Sequence, residues 1–220
     1  MKIKKTYIKL IILFALTLSS KAHAVCDFKT AEYIDELESP NSIKSIKIDI
    51  PKARSYIKNF LQILTSGDNS IIPDELKKEF NAKINISYVF GNCSYEGTVR
   101  QHGDLHDHIM SKYGTPLRSL RVRLKNGNIL NATRFRLLIP RTRNSQNEIL
   151  GSIILNYLGF ITPKSSEVFV SVNNNNAKMI FSDDSRKEML ERNLRREGPI
   201  FTGDESLFGA KELSDREVKE

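Results

Sequence analysis

The sequence predicts an α+β domain, mainly an antiparallel sheet with one long helix packed on it. Strand-like alternation of apolar and polar residues recurs at 43–50, 82–90 and 120–124. Asn126-Gly127 then favours a tight turn before a returning strand at 133–139. One long helical pattern at 144–158 separates these strands from a last hairpin, and this order is typical of an α+β fold.

The first 24 residues have the three parts of a secretory signal peptide. Basic residues precede a short apolar segment at 10–20, and Ala22-His23-Ala24 matches the small-x-small pattern that signal peptidase cleaves. An uncleaved anchor is the alternative, but a membrane span needs about 20 apolar residues and this segment has roughly half of them. We therefore expect cleavage after Ala24, a mature chain beginning at Val25, and a secreted or periplasmic location.

The formal charge overstates how basic the mature protein is. Five lysines and no acids leave with the signal peptide, which lowers the net charge from +8 to +3. We therefore expect no nucleic-acid partner. No segment after the signal peptide is apolar enough to cross a bilayer, so we also expect no membrane partner after cleavage. The arginines that remain are clustered in one stretch, as Arg118, Arg121, Arg123, Arg134, Arg136, Arg141 and Arg143. Such a cluster suits an anion, although a strand face that only needs to stay soluble is the commoner explanation.

The chain has two cysteines, Cys26 and Cys93. In an oxidising compartment we expect them to form a disulfide that attaches the N-terminus to the sheet. The bridge would close a long loop and contribute about 4 kcal/mol by the chain-entropy estimate. Two free buried thiols are the alternative.

Helix and hairpin signals complete the predicted domain. Pro51 opens a helix with one apolar face, comprising Tyr56, Ile57, Phe60, Leu61 and Leu64. Asn144 is the predicted N-cap of the long helix, whose core positions are Ile149, Ile153, Ile154 and Leu158. A hairpin joins 168–172 to 178–181, and Ser182 or Asp183 caps a last helix that ends near Asn193. The predicted domain spans 25–202 and is followed by a flexible tail at 203–220.

A histidine-rich loop is a candidate metal site. His102, His106 and His108 lie within seven residues together with Asp104 and Asp107, and imidazole and carboxylate groups are ligands of Zn²⁺. However, the glycine after His102 argues against a helix that would bring the imidazoles together. A polar loop is the alternative explanation.

Several motifs, taken in order, resemble the CotH family of secreted atypical protein kinases. Residues 116–124 (PLRSLRVRL) are similar to the family strand PKKSxRxKL, and 158–163 (LGFITP) to its LGxxxP segment. Residues 168–173 (VFVSVN) are similar to VxVxVNG, and 179–183 (MIFSD) stand where the family has an aromatic strand ending in Glu. The resemblance covers roughly residues 95–205.

The resemblance implies a kinase-like N-terminal lobe with a site for ATP and Mg²⁺. In this lobe Arg118 would take the place of the strand lysine that grips phosphates, Glu148 on the long helix would hold it, and Asp183 would stand at the junction between lobes. The family's metal-binding aspartates belong to a C-terminal lobe that we expect to be missing. We therefore expect a truncated relative without autonomous phosphotransferase activity.

A second function follows from the arginines alone. Arg121 and Arg123 alternate with apolar residues, so they share one strand face, opposite the face of Arg118. The alternative hypothesis is a non-enzymatic envelope module that binds an anionic polymer, such as a surface polysaccharide, through this face. An unknown protein is the other partner we consider.

Overall fold

The computed structural model describes residues 24–28, 39–66, 71–112 and 115–201. The predicted signal peptide, except Ala24, and the predicted tail lie outside the described residues. The described strands are β1 (Val25–Phe28), β2 (Ile43–Asp49), β3 (Phe80–Tyr88), β4 (Gly91–Gln101), β5 (Ile109–Lys112), β6 (Thr115–Arg118), β7 (Leu120–Leu124), β8 (Arg134–Leu138), β9 (Ser165–Val172) and β10 (Asn175–Asp183). The described helices are α1 (Ala53–Leu64), α2 (Asn147–Tyr157) and α3 (Lys187–Arg192).

Seven of these strands form a closed barrel. They follow one another in the order β4, β3, β2, β9, β10, β8 and β7, and β7 pairs back with β4. All of these pairs are antiparallel except β2 with β9, which is parallel. The strand β1 pairs with the first half of β4, and β5 and β6 form a separate hairpin.

The predicted fold class is therefore wrong. The sheet is not an open layer that presents one face to a long helix, as a kinase-like lobe would require, because the pairing of β4 with β7 closes it into a barrel. The helix α2 has no buried residue. Of its predicted core positions, Ile153, Ile154 and Leu158 are exposed.

A glycine on β4 allows the barrel to close. Gly97 pairs with Ala82 of β3 on one side and with Leu124 of β7 on the other. A Cβ atom at Gly97 would lie 2.4 Å from the carbonyl oxygen of Arg123 and 2.7 Å from Cδ1 of Ile84. A larger residue would therefore push the two neighbouring strands apart.

The barrel interior is filled by apolar side chains. Its largest fully buried members include Phe135, Phe181, Ile48 and Ile84. The helix α1 adds Tyr56 to this core, and its Phe60 and Ile63 pack in a second cluster with Ile72 and Ile109. A cavity of about 20 Å³ lies beside Tyr56, with room for about one water molecule. The interior therefore offers no volume for an organic ligand there.

The predicted turn between β7 and β8 is also wrong. The chain between β7 and β8 does not reverse at Asn126-Gly127 but at Leu130 and Asn131, which have positive φ angles of 51° and 63°. An antiparallel bridge between Ile129 and Ala132 flanks this turn. The Asn126 side chain instead accepts a hydrogen bond from the backbone N–H of Glu96 at 2.8 Å. This contact gives the asparagine a structural role other than forming the tight turn.

Helix starts were also misplaced. Asn144 is left-handed (φ 46°) and lies before α2, which starts at Asn147 after a 3-10 helix at Pro140–Arg143. Ser182 and Asp183 do not cap α3, because both belong to β10, where they pair with β8. The hairpin of β9 and β10 is confirmed and turns at Asn173 and Asn174, both with positive φ.

The predicted disulfide is confirmed. Cys26 of β1 and Cys93 of β4 are directly opposite each other in the strand pair and are bonded. A structural disulfide is compatible with an extracellular or periplasmic protein. No helix in the described parts of the chain is long and apolar enough to cross a membrane.

Candidate functional site

A row of three arginines crosses the outer surface of the barrel. Arg100 of β4 is opposite Arg121 of β7, and Arg121 is opposite Arg136 of β8. Directly paired residues of neighbouring strands point to the same side of the sheet. Since neighbouring strands are about 4.8 Å apart, the row extends roughly 10 Å around the barrel.

A second, parallel row doubles the positive charge. Arg123 of β7 is opposite Arg134 of β8, two residues along from the first row and on the same side of the sheet. We call these five residues the arginine face: Arg100, Arg121, Arg123, Arg134 and Arg136. The apolar residues between them, such as Val122 and Phe135, point into the barrel and are fully buried. The predicted orientation of Arg121 and Arg123 thus agrees with the strand pairing.

Acidic residues offset only part of this charge. Asp184 lies 4.0 Å from Nε of Arg121, but it also faces Arg186 at 3.2 Å. Glu188 accepts a hydrogen bond from the Thr133 hydroxyl at 2.7 Å. Among the described residues, these are the two acids that act on Arg121 and Arg134. Asp74 also acts on Arg100, and Asp183 acts on Arg136. The five arginines therefore have four nearby carboxylates, three of which are also paired with Lys77, Arg186 or Arg192.

The arginines are close enough to perturb one another. Burial lowers the pKa of Arg121 from its usual value, Asp184 opposes this, and Arg100, Arg136 and Arg186 lower it further. Burial also lowers the pKa of Arg134, with Arg186 and Arg123 adding to the effect. Like charges in opposite positions on neighbouring strands destabilise a sheet, so a bound anion would relieve a repulsion present in the free protein.

Part of the hydrogen-bonding capacity of this surface is unused. The Nε atoms of Arg121, Arg136 and Arg143, like that of Arg118 in the core, are buried and have no hydrogen-bond partner among the described residues. Arg136 is nevertheless held in place, because its Nη2 donates to the Ser182 hydroxyl at 2.9 Å and to the Asp183 carbonyl at 3.1 Å. The face therefore contains a guanidinium group that is held in a fixed orientation.

His102 borders the arginine face and stays neutral. Its pKa is lowered to about 2, first by burial and then by Arg136, Arg121, His108 and Arg143. Its backbone N–H donates to the Ser119 carbonyl at 2.9 Å. A neutral imidazole can both donate and accept a hydrogen bond, so His102 adds a polar group to this surface without adding charge.

The three residues assigned to nucleotide binding have separate partners. Arg118 is 3% exposed, lies over the Tyr56 ring with its Cζ 3.8 Å from the centroid, and donates to Oδ1 of Asn59 at 3.0 Å. Glu148 faces Arg143 at 3.7 Å. Asp183 is fully buried and bonded to Arg192 of α3. The described contacts do not bring the three together.

The predicted metal-binding histidines also point to different partners. Nε2 of His106 lies 3.1 Å from the Ile63 carbonyl and 3.2 Å from the Ser66 hydroxyl, and Nδ1 of His108 lies 2.9 Å from the Ser119 hydroxyl. A Cβ atom at Gly103 would clash with the His108 ring at 2.0 Å, so this glycine lets the loop pass over the imidazole. Within the described ranges, no group of three His, Cys, Asp or Glu residues is placed to hold a metal ion.

Sequence reasoning missed two members of the site. Arg100 lies twenty-one positions before Arg121 and was not included in the cluster, and His102 was assigned to a metal loop. The available signal was strand parity, since Arg100 and His102 share one parity and Arg121 and Arg123 share another. However, only the pairing of β4 with β7 shows that these residues share a surface.

Comparison with known proteins adds no family assignment. No protein-family model matches the chain, and no curated protein matches it.

Proposed function

We propose that this protein is an exported, non-enzymatic barrel that binds an anionic polymer through the arginine face. The observation that carries the proposal is the in-register row of Arg100, Arg121 and Arg136. The acids near these three guanidinium groups, Asp74, Asp184 and Asp183, are each also paired with another basic residue, so they neutralise the row only in part. Guanidinium groups form paired hydrogen bonds with carboxylate, sulfate or phosphate oxygens, so each can hold one charged group of a ligand.

The shape of the surface supports a polymer rather than a small molecule. The two arginine rows are spread over β4, β7 and β8 on the outside of a closed barrel, whereas small ligands are normally enclosed in a concave pocket. A chain that repeats a negative group along its length can contact successive arginines. An acidic polysaccharide of a cell envelope has this chemistry, and it fits an exported protein.

Export is supported by the sequence of the N-terminus and by the disulfide. Residues 1–24 have the pattern of a cleavable signal peptide, and the Cys26–Cys93 bond is typical of proteins in oxidising compartments. Cleavage after Ala24 makes Val25 the first residue of the exported protein. Secretion and periplasmic retention are both compatible with these features.

The kinase-related function stays a prediction of the resemblance to the CotH family. It is not the function we propose, because Arg118, Glu148 and Asp183 already have other partners. The binding of ATP and Mg²⁺ likewise stays a prediction. The buried Arg118 side chain would have to leave Tyr56 and Asn59 before it reached a phosphate.

Titration with polygalacturonate, a carboxylated polysaccharide, tests the proposed function. We expect binding by calorimetry at low salt, and Arg121→Gln should weaken it by about tenfold because one charge-assisted contact is lost. Added NaCl should also weaken binding, since exposed charges are screened.

Arg54→Gln is the matched control. Arg54 is an exposed arginine on α1, outside the arginine face, so its replacement should leave the affinity unchanged. An equal loss from both substitutions would show a diffuse attraction to positive charge and would contradict the proposed site.

A further inference from the structure

The helix α2 exposes a complete apolar stripe. Five large side chains lie at spacings of three and four residues, which places them on one side of a helix, and all are exposed: Leu150, Ile153, Ile154, Tyr157 and Leu158. Leu155, on another side of the helix, is also exposed. Tyr157 is 90% exposed and Ile153 is 61% exposed. A helix of a globular domain normally turns such a stripe towards the core. Here the stripe is exposed to solvent, although Ile153 and Tyr157 also line a groove of about 530 Å³ together with Arg192 of α3.

The contacts that hold α2 to the barrel leave this stripe uncovered. Glu148 faces Arg143 at the start of the helix, and the Thr162 hydroxyl donates to the Ser152 carbonyl at 3.3 Å. Both contacts lie on the side of α2 away from the stripe. An eleven-residue helix has little stability of its own in water, so a partner that covers the stripe would stabilise both the helix and the exposed apolar surface.

We propose that the partner is a second copy of this chain, with the two α2 helices packed antiparallel about a twofold axis near Ile154. Self-pairing needs a surface that matches itself, and two-fold dimers are the commonest assemblies. Glu148 is the one charged residue of α2, and it already faces Arg143 of its own chain. Two stripes can therefore meet without opposing like charges.

The available area suits a dimer. The exposed parts of the five stripe residues and of neighbouring Phe160 amount to on the order of 700 Å², close to the roughly 800 Å² per partner of a standard interface. Gly151 also supports a dimer, because an added Cβ atom would meet nothing within 4 Å in its own chain. Glycine is unfavourable inside a helix, and a closely approaching second helix gives it a role.

A lipid surface is the competing partner, and the composition of α2 argues against it. Helices that lie on membranes carry lysine or arginine on their polar side. The polar residues of α2 are Asn147, Glu148, Ser152 and Asn156, and none is basic.

A cysteine on the proposed axis tests the arrangement in the mature full-length chain. Both native cysteines are bonded to each other, so Ile154→Cys adds one free thiol that would meet its own copy. We expect a disulfide-linked dimer after mild oxidation. Asn156→Cys is the control, because this residue is exposed on another side of α2, and it should stay monomeric on a non-reducing gel.

Sedimentation equilibrium gives an independent measurement. The wild type should dimerise, and Ile154→Asp should weaken the dimer by on the order of thirtyfold or more, as expected for a central interface residue. Phe169→Asp, which changes an exposed apolar residue of β9, should leave the dimer intact. A monomeric wild type, or equal cross-linking of the two cysteine variants, would overturn the proposal. Binding of a monomer to anionic vesicles through Ile154 would also overturn it and assign the stripe to lipid.

Discussion

At the residue scale, the environment of each arginine decides its role. Arg118 and Arg121 are three positions apart in one basic stretch, yet they lie on opposite sides of the strands. Arg118 is buried against Tyr56 and Asn59, whereas Arg121 is partly exposed beside Arg100 and Arg136. The same residue type therefore stabilises the core at one position and presents charge to a ligand at the other.

Replacement of Arg118 should affect stability rather than nucleotide binding. Arg118→Ala removes the donor to Asn59 and the cation over the Tyr56 ring, and it leaves a gap in a packed region. We expect a loss of about 3 kcal/mol in the free energy of unfolding, measured with urea. Unchanged stability together with the loss of a measurable ATP affinity would instead support the nucleotide site implied by the CotH resemblance.

His102 should make the protein less stable in mild acid. The folded protein holds this imidazole neutral, with a pKa of about 2, whereas the unfolded chain takes up a proton near the ordinary value of 6.5. Between these values the unfolded state binds more protons, so stability falls as the pH falls, by up to about 1.4 kcal/mol per pH unit.

The His102→Gln variant isolates this effect. Gln does not titrate, so the variant should lose less stability than the wild type between pH 6.5 and pH 4.5, measured by thermal unfolding. His106 and His108 are present in both proteins and cancel in the comparison. Parallel pH profiles for the two proteins would show that His102 is free to protonate in the folded state.

At the element scale, local patterns predicted the strands but not how they assemble. Alternating isoleucines predicted β2, and two adjacent asparagines at positive φ form the turn between β9 and β10. By contrast, the closure of the barrel depends on the pairing of β4 with β7, from Gly97 opposite Leu124 to Gln101 opposite Leu120. Such long-range pairing leaves no local signal in the sequence.

The prediction that α2 packs on the sheet failed because the spacing of apolar residues does not identify their partner. The apolar spacing of α2 is that of a core-facing helix and predicts packing within the chain. The structure shows the same spacing with the stripe in solvent. Apolar periodicity predicts that one face of a helix packs against other apolar residues, but it does not show whether those residues belong to the same chain.

The short strand β1 should depend on its disulfide. All four of its residues are exposed, and Phe28 is the one that packs on the core, against Tyr88 and Phe90. The Cys26–Cys93 bond closes a loop across 67 positions. A Cys26→Ser, Cys93→Ser variant should therefore lose about 4 kcal/mol of stability.

Thermal unfolding measures this loss, which should lower the melting temperature by roughly 10 °C. The wild type treated with a reducing agent provides the control and should resemble the double variant. A melting temperature that reduction leaves unchanged would show that β1 contributes nothing to the cooperative unit.

At the scale of the whole molecule, the barrel separates a filled interior from a charged exterior. Apolar residues of seven strands pack inside, and the alternate residues of β4, β7 and β8 place five arginines outside. Closure of the sheet brings Arg100 beside Arg121, so the fold itself assembles the site. A dimer through α2 would carry two arginine faces, and a polymer that reached both would bind more tightly than to either one.

The most direct test of the arginine face observes the guanidinium groups themselves. In nuclear magnetic resonance spectra of the mature protein, the Nε–H signals of Arg121 and Arg136 report on the face itself. Like Nε of Arg118, these donors have no hydrogen-bond partner among the described residues. Addition of polygalacturonate should shift both signals, while the signal of the buried Arg118 stays in place. If the Arg118 signal moves and those of Arg121 and Arg136 do not, the ligand binds elsewhere and the proposed function is wrong.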